Sequence, residues 1–125
     1  MIYGIGTDIV EISRLQMVLD RWGDRFTDRV FTETETAYCG QKARPASCFA
    51  LRFAAKEAFA KALGTGFRGG LSFREIEVVR DEKGAPALRL HGRSLSASYE
   101  CGLTRTHLSL SDDGDYAVAF VVLES

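Results

Sequence analysis

The sequence lacks any long apolar segment. No stretch approaches the roughly 18 consecutive apolar residues that a membrane-spanning helix needs. Its first residues, from Met1 to Gly6, contain no charged region followed by a long apolar run, so they do not resemble a signal peptide. We therefore expect no membrane partner and a cytoplasmic location.

The chain also has few cysteines, only two histidines and almost no net charge. The three cysteines, Cys39, Cys48 and Cys101, are odd in number, and no two have the C-x-x-C spacing of a zinc site. They predict free thiols in a reducing compartment rather than a disulfide framework. Sixteen basic residues stand against 17 acidic ones, for a net charge of -1. This balance does not indicate a nucleic-acid partner.

What the sequence does contain is enough apolar material for one packed unit. Of its 125 residues, 46% are hydrophobic, and we expect residues 1–125 to form a single domain. A domain of this size leaves much of its surface exposed to water. Oligomers are a common way to cover such a surface.

The apolar periodicity predicts a strand, then helices, then mostly strands, which is the order of an α+β domain. A strand is expected over residues 2–10, and helices over 14–22, 24–30, 33–42 and 47–63. Ser13 and Ser47 are expected to cap helices, and Thr32 begins a capping box with Glu35. Beyond Leu71 the period is two. Strands are expected around hairpin turns at residues 81–84 and 112–115, with a short helix near 94–101.

Two charges on the longest predicted helix are candidates for chemistry. Glu57 and Lys61 lie one turn apart among Ala and Phe residues, and so share a face. One interpretation is a simple ion pair between them. The other brings in Asp8, an acid within an apolar strand, although a lone aspartate there is often a turn or cap residue. If Asp8 and Glu57 meet, they form a hard oxygen site of the kind Mg²⁺ uses with substrate phosphates, and Lys61 lies beside it.

Other polar groups leave two interpretations open. The turn at residues 64–66 could present amides to a phosphate, or simply end the helix. On the strand near residue 109, one face carries His107, Ser109 and Ser111. That face could line a substrate site or face solvent. No serine lies in a G-x-S-x-G elbow, so covalent catalysis is not indicated.

A row of arginines follows the first predicted strand. Arg14, Arg21, Arg25 and Arg29 recur at steps of seven, four and four residues, which places them on one helical face. The neighbouring aspartates could pair with them on a solvated surface. Alternatively, the row could dock an acidic helical partner.

Two longer segments carry a resemblance to a known family. They are residues 4–14 and 52–66, and shorter matches lie at residues 25–32, 84–86 and 107–111. In these segments the sequence resembles the bacterial holo-acyl-carrier-protein synthases, the small group of the 4′-phosphopantetheinyl transferases. The matches follow family order across almost the whole chain.

The resemblance implies a fold, a reaction and partners. The fold is the α+β fold of the phosphopantetheinyl transferases, with helices packed on a mostly antiparallel sheet. The assembly is a homotrimer with active sites between subunits. The reaction is a Mg²⁺-dependent transfer of 4′-phosphopantetheine from coenzyme A to a serine of apo-acyl carrier protein. It releases adenosine 3′,5′-bisphosphate and supports fatty acid biosynthesis.

The resemblance also assigns residues to roles. The metal carboxylates match Asp8 and Glu57, and the phosphate-binding lysine matches Lys61. The surface that receives the acidic carrier matches Arg14, Arg21 and Arg25. Positions that line the coenzyme A pocket match Arg52, Lys61, Gly64, Thr65, Gly66, Pro86, His107 and Ser109.

The chain departs from the family pattern at two positions. Ala85 stands where many members have lysine, so a contact to a coenzyme A phosphate is missing or supplied elsewhere. Asp112 stands where many have a second histidine, which leaves the general base unassigned. Two other functions fit the same residues: a metal-dependent hydrolase of pyrophosphate bonds, and a module that binds acyl carrier proteins without catalysis.

Overall fold

The computed structural model describes residues 1–125, which form five helices and five strands. In chain order these are β1 (Ile2–Glu11), α1 (Ile12–Trp22), α2 (Asp24–Val30), α3 (Glu33–Gly40), α4 (Pro45–Leu63), β2 (Ile76–Arg80), β3 (Pro86–Leu90), α5 (Gly92–Glu100), β4 (Arg105–Asp113) and β5 (Tyr116–Glu124). A short 3₁₀ turn, Phe73–Glu75, precedes β2. The predicted α+β order is confirmed.

All strand pairing is antiparallel, in two sheets. The larger sheet has the order β1-β5-β4, so the terminal strand β5 lies between the first strand and β4. The second sheet is the β2-β3 hairpin, and β3 lies against β4. Both hairpins expected from the sequence are present, because each depends on a local turn between two apolar runs.

Helix α4 packs across the β1-β5-β4 sheet at unusually short range, and two glycines of β1 permit it. A Cβ added to Gly6 would lie 1.9 Å from the carbonyl oxygen of Ala58, and one added to Gly4 would lie 1.9 Å from that of Ala62. Only glycine leaves room for backbone to approach backbone in this way. The Gly4-x-Gly6 pattern therefore serves helix–strand packing. The result is that Glu57 and Lys61 of α4 lie beside β1, near Asp8.

The core consists of two apolar clusters, both of which use α4. One lies between the C-terminal half of α4 and the sheet, around Phe59, Val121 and Leu123. The other lies between the start of α4 and helices α1 to α3, around Phe31 and Phe49. Helix α4 is thus the central element of the fold, and thirteen of its 19 residues are buried.

A buried ion pair connects α4 to α3. The Lys56 ammonium lies 2.8 Å from Glu35 Oε1 and also donates to the carbonyl oxygens of Phe73 and Ile76. Glu35 accepts further hydrogen bonds from the amides of Thr32 and Val78. Both side chains are fully buried. A buried charge pair is tolerated when its remaining hydrogen-bonding capacity is used in this way.

The predicted helix starts are partly right. Thr32 and Glu35 form the expected capping box. The prediction for Ser47 is wrong, because Pro45 occupies the first turn of α4 and the helix begins there. Ser13 does not cap α1 either. Its amide and hydroxyl instead donate to Asp115, which lies in the β4–β5 turn, at 2.9 and 2.6 Å.

The prediction of free thiols is wrong for two of the three cysteines. Cys39 on α3 and Cys48 on α4 form a disulfide, and only Cys101 is free. Their spacing of nine residues gives no sign of this. The bond follows from the packing of α3 against α4, which the sequence does not display. No helix of the chain is both long and apolar enough to cross a bilayer.

Candidate active site

The structure brings together the strand acid and the two helix charges that the sequence singles out. Lys61 Nζ lies 3.0 Å from Asp8 Oδ1 and 3.0 Å from the carbonyl oxygen of Thr7. No ion pair joins Lys61 to Glu57, so the simple pairing of these two residues is wrong. Asp8, Glu57 and Lys61 instead form one group between β1 and α4, which we call the carboxylate–lysine site.

The Asp8 carboxylate lies close enough to Glu57 to affect the ionisation of Glu57. Burial raises the pKa of Glu57, the nearby Asp8 carboxylate raises it further, and Lys61 partly offsets both effects. Two like charges at a half-buried site disfavour the ionised form of at least one of them. A bound cation would relieve this repulsion. The arrangement therefore has the electrostatic character of a cation site.

The donor set also fits a small hard cation. Asp8 and Glu57 supply carboxylate oxygens, and no cluster of three or more His, Cys, Asp or Glu residues is present anywhere in the chain. A closed all-protein cage is therefore absent. Mg²⁺ commonly binds through one or two carboxylates while substrate phosphates and waters complete its shell. The side chain of Lys61 is about half exposed, so its ammonium is open to such phosphates.

The turn after α4 ends the helix, and this uses two of its three amides. Gly64 has φ of 92° and its amide donates to Ala60 and Lys61, while the Gly66 amide also donates to Ala60. Those amides satisfy the last carbonyl groups of the helix. Of the three residues in this turn, only Thr65 has an amide that bonds to no carbonyl of the helix, and its hydroxyl donates to the carbonyl oxygen of Gly66 at 3.1 Å.

Arg52 and Pro86 lie in a second region, on the side of α4 that faces the β2-β3 hairpin. They line a small cavity of about 210 Å³ together with Leu110. Arg52 is only 5% exposed, and burial lowers the pKa of its guanidinium. Its guanidinium carbon lies 4.5 Å from the centre of the Tyr38 ring, and its Nε has no hydrogen-bond partner.

The sequence gives no sign of the residues around Arg52. Tyr38 accepts a hydrogen bond from Arg80 at 2.7 Å, and Lys42 lies over its ring. Burial tends to raise the pKa of the Tyr38 phenol, but Lys42 and Arg80 outweigh it and lower the pKa. A cleft of about 380 Å³ is lined by ten residues, of which four are basic and one, Asp112, is acidic: Tyr38, Lys42, Ala43, Arg44, Ser47, Cys48, Leu51, Arg52, Arg80 and Asp112. Its positive charge suits an anionic ligand.

His107 and Ser109 lie on the other side of the β1-β5-β4 sheet. The predicted alternation along β4 is correct: Leu108 and Leu110 point toward α4, and His107, Ser109 and Ser111 are exposed. His107 Nε2 lies 2.5 Å from Glu124 Oε1 on β5. Asp8 instead projects toward α4, where it meets Lys61. Within one chain, the sheet therefore separates His107 and Ser109 from the carboxylate–lysine site.

The predicted arginine row lies across two helices rather than one, because Gly23 ends α1 and α2 begins at Asp24. None of its four arginines forms a salt bridge, so the self-paired surface is not present. Trp22 lies between two of them, with guanidinium carbons 5.1 Å (Arg21) and 5.8 Å (Arg25) from its ring. A groove beside it is lined by Val18, Trp22, Arg25, Phe26 and Arg29.

The fold and the carboxylate–lysine site together define a small α+β protein with two carboxylates and a lysine grouped between a helix and a strand. Comparison with known proteins identifies the family. Residues 4–121 match the model of the 4′-phosphopantetheinyl transferase superfamily. The chain belongs to that superfamily.

Individual relatives agree over the full length. The chain is 52% identical over 125 residues to the holo-[acyl-carrier-protein] synthase of Trichlorobacter lovleyi, covering 100% of this chain and 99% of the relative. The crystal structure of the Neisseria meningitidis synthase superimposes with a TM-score of 0.91 at 46% identity, covering both chains completely. The Helicobacter pylori synthase, solved in complex with coenzyme A, gives 0.85 at 33% identity over 96% of this chain and 99% of that one.

Proposed function

We propose that this protein transfers the 4′-phosphopantetheine group of coenzyme A to a serine of an apo-acyl carrier protein. The products are holo-acyl carrier protein and adenosine 3′,5′-bisphosphate, and the reaction supports fatty acid biosynthesis. The observation that carries the proposal is the carboxylate–lysine site, in a chain whose full-length relatives are holo-[acyl-carrier-protein] synthases. A structural relative with coenzyme A bound supports the choice of donor.

In this proposal Asp8, Glu57 and Lys61 together bind the pyrophosphate of coenzyme A. Asp8 and Glu57 hold Mg²⁺, which supplies charge neutralisation and orients phosphate oxygens when it is bound. Lys61 donates to the phosphate and neutralises further charge. The carrier serine oxygen bonds to the phosphorus that bears pantetheine, and the bond from that phosphorus to the bridging oxygen breaks. Adenosine 3′,5′-bisphosphate leaves, and the serine proton passes to solvent or a nearby carboxylate.

The anionic adenosine end of coenzyme A suits the positive cleft around Arg52. Arg80 lies on the same hairpin as Ala85, the position where many relatives carry lysine, and its guanidinium also bonds to the carbonyl oxygen of Gly84. We propose that Arg80 supplies the charge that Ala85 lacks. Pro86 and Thr65 complete the coenzyme A contacts in this proposal, and His107 and Ser109 contribute from the open face of the sheet.

Within one chain the sheet separates His107 and Ser109 from the carboxylate–lysine site, and a trimer would bring them together. The open face of the β1-β5-β4 sheet carries a large apolar patch, with Ile5 55%, Ile9 63% and Phe120 45% exposed. An uncovered patch of this kind is typical of an interaction surface. We propose that three copies bury it, and that His107 and Ser109 of one subunit then reach the carboxylate–lysine site of the next. The trimer thereby places the active sites between subunits.

The arginine-lined surface of α1 and α2 receives the carrier in this proposal. Its cations Arg14, Arg21 and Arg25 have no acidic partner within the chain, so they are free to pair with an acidic helix. We also propose that the protein acts in the cytoplasm. The Cys39–Cys48 bond is unusual for that location unless it is reversible.

One experiment separates the proposed transfer from its two alternatives. Coenzyme A and Mg²⁺ are incubated with the protein, with and without apo-acyl carrier protein, and release of adenosine 3′,5′-bisphosphate is followed by chromatography. The proposal predicts release only when the carrier is present. Release without carrier identifies a hydrolase. Carrier binding with no release under either condition identifies a binding module.

A further inference from the structure

The disulfide between Cys39 and Cys48 lies beside the cluster assigned to coenzyme A. Cys39 follows Tyr38 on α3, and Cys48 lies one turn before Arg52 on α4. Arg52 Nη1 donates to Cys48 Sγ at 3.2 Å, and the same guanidinium stacks on Tyr38. The Cys48 sulfur is therefore in direct contact with one of the residues that make the cleft positive.

The two sulfurs differ in access and in charge environment. Cys39 is completely buried, whereas Cys48 is 8% exposed and lines the 380 Å³ cleft. A reagent that enters the cleft can therefore reach Cys48 and cannot reach Cys39. A thiolate is stabilised by a neighbouring guanidinium, so Arg52 favours the reactive form of Cys48 when the bond is open. No acidic side chain hydrogen-bonds to Arg52; the buried Glu35 acts on it only through charge, and Asp112 lines the same cleft.

We propose that Cys39–Cys48 is a reversible thiol–disulfide site that exchanges with low-molecular-weight thiols and disulfides through Cys48. In the forward direction the Cys48 thiolate, having lost its proton to solvent, attacks one sulfur of a small disulfide. The sulfur–sulfur bond of that molecule breaks, and one small thiolate leaves and takes up a proton. The buried Cys39 then loses its proton and attacks Cys48, which releases the second small thiol.

The exchange balances as one protein dithiol plus one small disulfide giving one protein disulfide plus two small thiols. Two electrons pass from the protein sulfurs to the small molecule. The reverse reaction begins at Cys48, since a thiol entering the cleft meets that sulfur first. A bond of this kind suits a reducing compartment, where disulfides that do form are commonly transient or redox-sensing.

The state of the bond also changes the charge in the cleft, and this part of the inference rests on the proposed function. In the disulfide, Arg52 donates to a neutral sulfur and its charge is available to an anion. In the open form, Arg52 pairs with the Cys48 thiolate, which cancels one of the positive charges in the cleft. Opening the bond should therefore weaken binding of a phosphate-bearing ligand at a pH where Cys48 is ionised.

Trapping experiments test the route of exchange in a Cys101→Ser background, which removes the remaining free thiol. After full reduction and incubation with glutathione disulfide, the parent protein should lose the mass of two hydrogen atoms. Cys39→Ser should instead accumulate one glutathione adduct at Cys48. Cys48→Ser should remain unmodified, because Cys39 is buried. An unchanged parent mass, or an adduct on Cys48→Ser as readily as on Cys39→Ser, would overturn the proposal.

A binding measurement tests the coupling, with adenosine 3′,5′-bisphosphate as the probe because coenzyme A carries a thiol that would open the bond. At pH 8 the Kd of the oxidised protein should be roughly threefold lower than that of the reduced protein, the effect of about one partly screened charge. Equal Kd values would overturn the coupling. Absence of binding in both states would overturn the coupling and contradict the proposed function, and the mass measurements would still decide the thiol chemistry.

Discussion

Lys61 on helix α4 bonds to Asp8 on strand β1, with 3.0 Å between Nζ and Oδ1. Fifty-three residues separate the two in sequence, and their contact depends on a helix that lies almost directly on the strand backbone. The same close approach places Glu57 near enough to Asp8 for the Asp8 charge to raise its pKa. The proposed chemistry therefore depends on packing as much as on the identity of three side chains.

The first prediction concerns that packing. Gly6→Ala places a methyl group against the carbonyl oxygen of Ala58 and must push α4 away from β1. We expect a loss of at least about 2 kcal/mol in the free energy of unfolding, by the usual cost of forced overpacking, together with loss of transfer activity. Urea denaturation measures the stability. Gly40→Ala is the matched control, because open space surrounds Gly40 and stability should be unchanged or slightly raised. Equal stability of the two variants would contradict the packing argument.

The second prediction concerns pH. Burial and the Asp8 charge raise the pKa of Glu57 above its ordinary value. In the metal-free protein the ionised form of Glu57 is therefore disfavoured, and Glu57 loses its proton only as pH rises through that higher pKa. Mg²⁺ binds the ionised carboxylate. Its apparent affinity should therefore increase through this range and level off above it. Lys61→Met should move the midpoint to higher pH, since Lys61 lowers the pKa of Glu57. Calorimetry at several pH values, with carboxyl NMR of the metal-free protein, measures both. A Glu57 pKa below 4.5 would contradict the assignment.

The third prediction concerns the open face of the sheet. Ile9→Lys combined with Phe120→Lys should yield monomers in analytical ultracentrifugation, because each buried apolar side chain contributes about 1.5–3 kcal/mol at an interface. Tyr99→Lys is the control, since Tyr99 is an aromatic residue that is 72% exposed but lies on helix α5 rather than on the sheet. It should leave the trimer intact. A wild-type protein that sediments as a monomer at micromolar concentration would contradict the proposed assembly.

The fourth prediction concerns carrier recognition. Arg21→Ala with Arg25→Ala should raise the KM for the carrier by about tenfold at low salt and change kcat little, because exposed charges act mainly on association. The difference in KM between the double variant and the wild type should become smaller as salt is added. Steady-state kinetics at two ionic strengths measure this, with Arg89→Ala, an exposed arginine on β3, as the control. If the double variant has the same carrier kinetics as the wild type, the proposed docking surface is wrong.

What could be predicted from the sequence depends on how local its cause is. The Thr32 capping box and the two hairpins depend on neighbouring residues, and they are correct. The start of α4 at Pro45 was missed although its signal, a proline at the first helical position, is also local. From the residues alone, the sequence could say only what would follow if Asp8 met Glu57 with Lys61 beside them; the family resemblance then assigned these three residues to one site.

Features that arise from packing between distant segments could not be predicted. Asp115 supports the start of α1 from 102 residues away, and no periodicity in the sequence connects them. Tyr38, Arg80 and Arg52 meet because α3, β2 and α4 converge, and the Cys39–Cys48 bond has the same origin. The separation of His107 from the carboxylate–lysine site is likewise visible only once the sheet is folded.

The most direct test of the central claim is the intact mass of an apo-acyl carrier protein after incubation with this protein, coenzyme A and Mg²⁺. Parallel reactions contain EDTA or the Glu57→Gln variant, whose unfolding midpoint and sedimentation are first matched to wild type. The account predicts that the carrier gains one phosphopantetheine in the complete reaction and none in the two others. An unmodified carrier in the complete reaction, or full modification by Glu57→Gln, would contradict it.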